Sequence, residues 1–175
     1  MLLSGLAVEV AGDEVIARHG YTDRHITSDP KDHKKKWAKP QAFLPLFSET
    51  DGWVFSVSRT TALKDAEAIQ RNGLGIGKAS KRSYKGSAQL LAQQIREVGM
   101  KVSEGDALHR LDVVSHEAAD GTTPYHAHIT GFQPLPEGAN IKEFFKEASA
   151  DLAKRAKEHD FILCDLPEQD GEMHA

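Results

Sequence analysis

The side chains best suited to chemistry lie in one short stretch, residues 124–132, which reads PYHAHITGF. Apolar and polar residues alternate along it, and this alternation predicts a β-strand. Side chains of a strand point alternately to its two faces, so one face is predicted to carry His126, His128, Thr130 and Phe132. Two imidazoles and a hydroxyl on one surface can bind an anion, coordinate a metal ion or transfer protons.

Two histidines at positions i and i+2 of one strand face can bind the same divalent ion, provided that a third protein ligand comes near. Across a predicted hairpin that third ligand would be His109, Asp112 or His116. The competing structural interpretation is a half-buried strand whose histidines only hydrogen-bond their neighbours. We predict no cofactor and no metal ligands, and keep a divalent ion at His126 and His128 as the weaker alternative.

The tripeptide His25-Ile26-Thr27 repeats the pattern of His128-Ile129-Thr130 about a hundred residues earlier in the chain. This pair of H-x-T tripeptides resembles the two-histidine phosphoesterases, a bilobal α+β family of similar size in which two such motifs face each other. The resemblance implies cleavage of a cyclic or linear phosphodiester without a metal ion. It also implies that His25 and His128 act as base and acid, and that the hydroxyls of Thr27 and Thr130 bind phosphoryl oxygens. Paired imidazoles with near-neutral pKa values suit such proton transfers.

Four further stretches are YTDRH at 21–25, KPQAFLP at 39–45, SVSRT at 56–60 and HAHITG at 126–131. Together they resemble the signatures of a group of small bacterial proteins to which we attach no activity. The resemblance implies a bacterial protein and groups the four stretches into one constellation.

Arginine and histidine side chains recur around these stretches. Arg59 lies where a predicted strand meets a predicted helix, a junction at which free backbone N–H groups help to bind an anion. From Arg18 to Lys39, seven Lys and Arg residues stand against three Asp residues, a local excess of four positive charges. Guanidinium groups bind phosphate through two parallel hydrogen bonds. Besides the two threonines, the predicted phosphate-binding residues are Arg18, His19, Arg24, Arg59 and His126.

Length and composition exclude several classes of protein. At 175 residues the chain suits one domain whose core is large enough to fold without disulfides. The net charge of −4 argues against a protein that coats nucleic acid with its whole surface. The single cysteine, Cys164, excludes an internal disulfide and favours a reducing cytoplasm. We see neither a secretory signal nor a run of about 20 apolar residues, so no membrane partner is expected.

The predicted fold is one α+β domain over 1–164, with a mixed, mainly antiparallel sheet and about three helices packed largely on one face. Strands are predicted at 6–10, 14–19, 53–58, 107–116, 124–132 and 161–164, and helices at 61–72, 87–98 and 141–159. Segment 20–45 is predicted to be an irregular basic loop, and 165–175 a flexible acidic tail. Gly73 is expected to end the first helix, and 73–77 to connect flexibly to a second basic cluster of Lys78, Lys81, Arg82 and Lys85.

From these residues we predict a small cytoplasmic protein with a His/Arg phosphate-handling site, whose partner is a nucleotide or a nucleic-acid phosphate. Its enzymatic form is a metal-free phosphodiesterase or nuclease that acts on a nucleotide or RNA, with His128 and His25 as acid and base. The alternative is a non-catalytic binding module that contacts a protein or a nucleic acid. The enzyme requires the imidazole of His25 or His19 to share a cleft with His128, within reach of one phosphate.

Overall fold

The computed structural model describes residues 9–61, 63, 65–101, 105, 108–116 and 125–167. These residues form the predicted α+β unit, with three α-helices, a seven-stranded sheet and two small hairpins. The strands are β1 (Val15–Gly20), β2 (Ile26–Ser28), β3 (Lys36–Ala38), β4 (Leu46–Ser48), β5 (Gly52–Arg59), β6 (Gly86–Leu91), β7 (Gly99–Met100), β8 (His109–Arg110), β9 (Asp112–Ser115), β10 (His126–Thr130) and β11 (Ile162–Leu163). The helices are α1 (Ala66–Ser80), α2 (Ala92–Arg96) and α3 (Ile141–Ala156).

The main sheet has the strand order β11-β6-β1-β5-β10-β9, with β4 paired to β5, and its described pairings are antiparallel. Its core face packs against α2 and α3, and the buried apolar residues there include Ile16, Phe55, Leu90, Ile95, Ile129, Phe144 and Leu152. Helix α1 lies on the opposite face, where Ile69 packs with Ala17 and Ile162. Two of the three helices therefore share one face, in line with the prediction that they pack largely on one face, and α1 is the exception. We call the face beneath α1 the outer face.

Helix α1 begins and ends later than predicted. The Asp65 carboxylate caps its amino end by accepting a hydrogen bond from the backbone N–H of Ala68 at 2.8 Å. Gly73 does not end the helix, which continues to Ser80 and ends at Lys81 in the left-handed conformation. A Cβ atom at Gly73 would overlap the ring of Tyr84, which accounts for the glycine. A Cβ atom at Gly77 would likewise meet the backbone oxygen of Arg82. Gly73 and Gly77 are thus packing positions on a continuous helix, and the predicted flexible connection is wrong.

Substitution of Gly73 by alanine is expected to destabilise the protein by roughly 1–3 kcal/mol, because the added methyl group must displace the Tyr84 ring. Gly75 is the matched control, since a Cβ atom there has no neighbour within 4 Å. Gly75→Ala is expected to stabilise the helix by about 0.5–1 kcal/mol through helix propensity. Urea unfolding measures both changes, and equal stabilities of the two variants would contradict the packing of Tyr84 on α1.

Residues 87–98 begin as a strand and not as the predicted helix. Strand β6 pairs with β1 over its whole length and with β11 at its first two residues. Only Ala92–Arg96 are helical. A short run such as 87–91 fits both helical and strand periodicity, and pairing with two neighbouring strands decides between them.

The sequence predicts an irregular loop at 20–45, but part of this basic segment has regular structure. Strands β2 and β3 form a hairpin in which Ile26 lies opposite Ala38, and a 3₁₀ turn follows at Pro40–Phe43. Phe43 is fully buried and packs edge-on against Phe55 of the core. Each strand has three residues, too few to show an alternating pattern.

The antiparallel pairing of β9 with β10 is confirmed. His109 lies outside this pair, because β8 pairs with β7 in a separate hairpin. Phe132 was predicted to share a face with the two histidines of β10, and this prediction is wrong. Gly131 adopts a φ of +96°, which ends the strand alternation, and Phe132 packs in the core against Phe55 and Phe144.

The predicted elements near the end of the chain, α3 and β11, are confirmed with shorter bounds. The side-chain oxygen of Asn140 caps α3 by accepting hydrogen bonds from the backbone N–H groups of Lys142 and Glu143. The strand predicted at 6–10 and the tail predicted at 165–175 lie largely outside the described residues. In the part of the chain that the structure covers, no helix is long and apolar enough to cross a membrane.

Candidate functional site

The outer face of the sheet carries polar side chains of the central strands. Strand β10 pairs with β5 so that His126 lies opposite Ser58. Strand β1 places His19 on the same face, because Ala17 also lies opposite Ser58 and side chains two apart share a face. Helix α1 covers only part of this face, and a cleft of about 570 Å³ opens between α1 and strands β1, β5 and β10.

Most of the residues that line the cleft are basic or neutral polar, although most of the lining surface is formed by apolar atoms. Three arginines contribute, from β1, from α1 and from the loop that follows α1: Arg18, Arg71 and Arg82. The lining residues include no aspartate and no glutamate. Ile76, Ala79 and Tyr125 add apolar surface. A cleft of this size and composition suits an anionic small molecule that also has an apolar part.

Arg18 is fixed by backbone acceptors. Its Nε donates to the carbonyl oxygen of Ala42 at 2.6 Å, and its Nη1 donates to the carbonyl oxygen of Ser56 at 2.7 Å. The guanidinium lies over the Phe55 ring, 5.1 Å from the ring centroid. Burial lowers the pKa of Arg18 to about 10, and the nearby Arg82 acts in the same direction. Arg18 therefore stays charged at neutral pH while held by neutral partners.

The other two arginines differ in their partners. Arg82 lies over the ring of Tyr21 at 4.5 Å, and its Nε donates to the hydroxyl of Ser80 at 3.0 Å. Arg71 is paired with Glu67 on the exposed surface of α1 at 2.6 Å. Among the described residues, neither Arg18 nor Arg82 has a carboxylate within ion-pair distance. The cleft consequently has an excess of positive charge.

His19 is buried at the floor of the cleft, with both ring nitrogens hydrogen-bonded. Its Nε2 lies 2.9 Å from the amide oxygen of Asn72 and 2.9 Å from the hydroxyl of Ser58, and its Nδ1 lies 2.7 Å from the hydroxyl of Ser87. Because the amide oxygen only accepts, Nε2 carries the proton and Nδ1 accepts from Ser87. The hydroxyl of Tyr84, 2.6 Å away, then donates to Ser87.

This network has an electrostatic consequence for His19. Burial lowers its pKa to about 4, and Arg18 acts in the same direction, whereas the hydrogen bond to Asn72 opposes the shift. A buried imidazole loses the hydration that stabilises its charged form. His19 is therefore neutral at pH 7 and fixes the positions of Ser58 and Asn72 at the cleft floor.

Three histidines pack together beside the cleft. His126 and His128 belong to β10, and His116 directly follows β9. The rings of His116 and His128 stack with centroids 4.0 Å apart and an angle of 17°. The ring of His126 is perpendicular to both, with centroids 5.4 Å and 4.8 Å away. Within the described ranges, no hydrogen bond involves these three rings, and Nε2 of His126 is buried without a partner. We call these residues the histidine cluster.

Burial and neighbouring rings lower the pKa values of two histidines in the cluster, His126 and His128. Burial lowers the pKa of His126 to about 4, and His128 and His116 add to the shift. Burial and His116 also lower the pKa of His128, whereas Asp51 acts in the opposite direction. Asp51 lies in the turn between β4 and β5, and donor atoms of Asp51, His116 and His128 all lie within 4.8 Å of one another.

His25 lies near the basic side of the cleft. Burial lowers its pKa, and Arg18 and Arg82 are close enough to lower it further. Its Nδ1 is buried and has no hydrogen-bond partner in the described part of the chain. Thr27 lies in β2 opposite Trp37. The first H-x-T tripeptide therefore belongs to a small hairpin and the second to the main sheet.

Arg59 is buried, with 2% of its surface exposed. Its Nε and Nη2 donate to the two carboxylate oxygens of Glu14 at 2.7 Å and 2.8 Å. Thr130 lies opposite Asp112 at the end of β10. Arg24 is exposed in the turn before β2. Of the nine predicted site residues, Arg18, His19 and His126 line the cleft, His25 and His128 lie next to lining residues, and Arg24, Thr27, Arg59 and Thr130 do not line it.

Several residues of the cleft and of the surroundings of the histidine cluster were not predicted from the sequence. Arg71 and Asn72 come from the middle of α1, and Asp51 reaches the histidine cluster from a hairpin turn. For the residues of α1, helical spacing could have indicated that they face the cleft. If α1 continues through 73–77, Asn72, Ile76 and Ala79 fall on one face at intervals of four and three residues.

A scan against protein-family models, a search of the curated proteins and a search of the solved structures each found no match to this chain. The functional conclusion therefore rests on the geometry of the cleft and of the histidine cluster.

Proposed function

We propose that the cleft between α1 and the sheet binds a phosphate-bearing ligand, a nucleotide or the end of a short RNA. One observation carries the proposal: three arginines and no acidic residue line a cleft of about 570 Å³, and two of them, Arg18 and Arg82, have no carboxylate partner among the described residues. Arginine binds phosphate through charge-assisted, often paired hydrogen bonds, and is selected wherever planar recognition of phosphate is needed.

The cleft also suits the remainder of a nucleotide. Its volume lies within the range of about 300–1,000 Å³ that is typical of small-molecule sites. The side chains of Ile76 and Ala79 and the ring of Tyr125 offer apolar surface to a base. The hydroxyls of Ser56 and Ser58 supply hydrogen bonds to polar ligand atoms. Bare phosphate would use only the basic part of this lining.

Affinity measurements on a charge-neutralised cleft test the proposal. Arg82→Gln is expected to weaken the binding of a nucleoside monophosphate at least about tenfold, because a hydrogen bond to a charged group is worth about 1.5–3 kcal/mol. Lys78→Gln is the matched control, since Lys78 is exposed on α1 and does not line the cleft. We expect its affinity to stay within about twofold of the wild type. Isothermal titration calorimetry at low and high salt measures both, and salt should weaken wild-type binding.

Two results would contradict the proposal. One is the failure of nucleoside monophosphates, cyclic nucleotides and short RNAs to bind a folded sample at millimolar concentration. The other is an equal loss of affinity in Arg82→Gln and Lys78→Gln, which would assign the binding to overall surface charge. Adding 2′,3′-cyclic nucleotides with and without a chelator to the same samples tests the hydrolysis that the two H-x-T tripeptides predict. Binding without turnover would favour the non-catalytic module.

A further inference from the structure

The histidine cluster leaves three imidazoles without a protein hydrogen bond among the described residues, and two of them stack face to face. Its position follows from strand pairing. The backbone N–H of His116 donates to the carbonyl oxygen of His126 at 2.9 Å, and the next residue on the same face of β10 is His128. Of the three rings, only that of His126 has a nitrogen buried without a partner, which is unfavourable. His116 is exposed, and the unpartnered ring nitrogens of His116 and His128 remain open to a ligand.

Asp51 adds a carboxylate to this group. One donor atom each from Asp51, His116 and His128 lies within 4.8 Å of the other two. Ligand atoms about 2.0–2.2 Å from a tetrahedral Zn²⁺ lie roughly 3.4 Å apart, so ligand atoms at the 4.8 Å limit must approach each other by about 1.4 Å. Asp51 and His116 are exposed, whereas His128 is buried on β10. Two solvent-exposed side chains can therefore rotate towards a fixed third ligand without movement of the sheet.

We propose that Asp51, His116 and His128 form a binding site for a divalent transition-metal ion of the Zn²⁺ type, with the fourth coordination position open. Two imidazoles and one carboxylate are a ligand set that Zn²⁺ uses in sites with an open position. Mg²⁺ and Ca²⁺ prefer sets of oxygen ligands and are poorly matched to two imidazoles. The inference goes beyond the proposed phosphate cleft and does not require it, since none of the three ligands lines that cleft.

The site lies next to the cleft because His126 belongs to both surroundings. His126 lines the cleft and packs against His128 and His116. An ion at this site would add positive charge near the end of the cleft that β10 forms. Metal ions bound beside a phosphate site commonly stabilise the phosphate charge.

Titration of the tag-free, chelator-treated protein with Zn²⁺ and Co²⁺ tests the site. Calorimetry is expected to show one equivalent bound, and Co²⁺ is expected to give the visible absorption of a low-symmetry, nitrogen- and oxygen-ligated ion. Asp51→Asn and His116→Ala are each expected to weaken the affinity at least tenfold. Because both side chains are exposed, these variants should remain folded.

Matched controls separate the site from incidental binding. Glu49→Gln changes an exposed carboxylate in the same turn as Asp51, and His33→Ala removes an exposed histidine in another loop. Both controls are expected to bind the ion as the wild type does. The inference is overturned if the wild type binds neither Zn²⁺ nor Co²⁺. It is also overturned if Asp51→Asn or His116→Ala binds the ion with the affinity of the wild type. Arg82→Gln should bind the metal normally, so failure of the metal site and failure of the phosphate cleft are distinguishable.

Discussion

Replacing Arg59 with methionine is expected to lower the free energy of unfolding by roughly 3–5 kcal/mol, because removal of one partner leaves a buried charge uncompensated. The guanidinium and the carboxylate of Glu14 are 2% and 5% exposed, and Nε lies 2.7 Å from the carboxylate oxygen. The guanidinium also lies 3.5 Å from the hydroxyl of Ser115. The pair therefore connects the turn before β1 with the ends of β5 and β9, and its loss should weaken the sheet.

Urea unfolding checks this prediction with two comparison variants. The double variant Arg59→Met with Glu14→Leu should recover much of the lost stability, because apolar residues of similar volume often replace a buried ion pair without loss. Arg71→Met removes one partner of the exposed pair with Glu67 and should change stability by no more than about 0.5 kcal/mol. If Arg59→Met were as stable as the wild type but lost nucleotide binding, the phosphate-binding role predicted from the sequence would be restored.

Strand β10 could be predicted because its residues meet two requirements at once. Ala127 and Ile129 are buried on the core face, and His126 and His128 point to the outer face, so the sequence alternates as β-structure requires. Helix α3 was equally accessible, because Phe144, Ala148 and Leu152 recur at helical spacing and are buried. In both elements, local pattern and tertiary burial agree.

Glycine misled the prediction where tertiary packing decides its role. Gly73 and Gly77 look like a helix end in isolation, but the rings of Tyr84 and Tyr21 occupy the space that side chains would fill. A sequence does not show which distant ring approaches a glycine. The error moved the end of α1 and with it the assignment of Arg82, which was predicted to belong to a second basic cluster after a flexible connection. The part of the cleft that α1 and Arg82 form was therefore not predicted, although the basic residues there had been noted in the sequence.

The candidate site was partly predicted because basic and imidazole side chains are informative in themselves. Arg18, His19 and His126 do line one cleft. Arg59 has the same chemistry, yet Glu14 binds it 45 residues earlier in the chain. Whether an arginine faces a ligand or a buried carboxylate depends on strand pairing, and no local spacing reports it. Asp51 was missed for the same reason, since its approach to β10 follows from the pairing of β5 with β10.

Lowering the pH from 6.5 to 4 is expected to destabilise the protein by about 3 kcal/mol through His19 alone. Burial lowers the pKa of His19 to about 4 in the folded protein, whereas an exposed histidine has a pKa near 6.5. Between these values the unfolded chain binds a proton that the folded protein does not, so stability rises with pH. The contribution is complete above about pH 6.5 and is lost as the pH falls towards 4.

The groups around His19 allow the effect to be assigned to it. Arg18 has a pKa of about 10 and stays charged across this range. Burial raises the pKa of Tyr21 to about 12 and also raises that of Tyr84, so both phenols stay neutral. The remaining partners, Ser58, Ser87 and Asn72, do not titrate. Among these neighbours, only His19 changes its charge between pH 4 and 6.5.

Urea unfolding from pH 8 to pH 4, for the wild type and for His19→Gln, measures the contribution of His19. Other acidic groups titrate in both proteins, so the difference between the two stability profiles isolates this residue. The wild-type stability should fall more steeply, by close to one proton between pH 6.5 and 4. Should His19→Gln fail to fold, NMR titration of the His19 ring in the wild type gives the same information. A ring that protonates near pH 6.5 while the protein stays folded would contradict the buried, neutral imidazole on which the cleft floor depends.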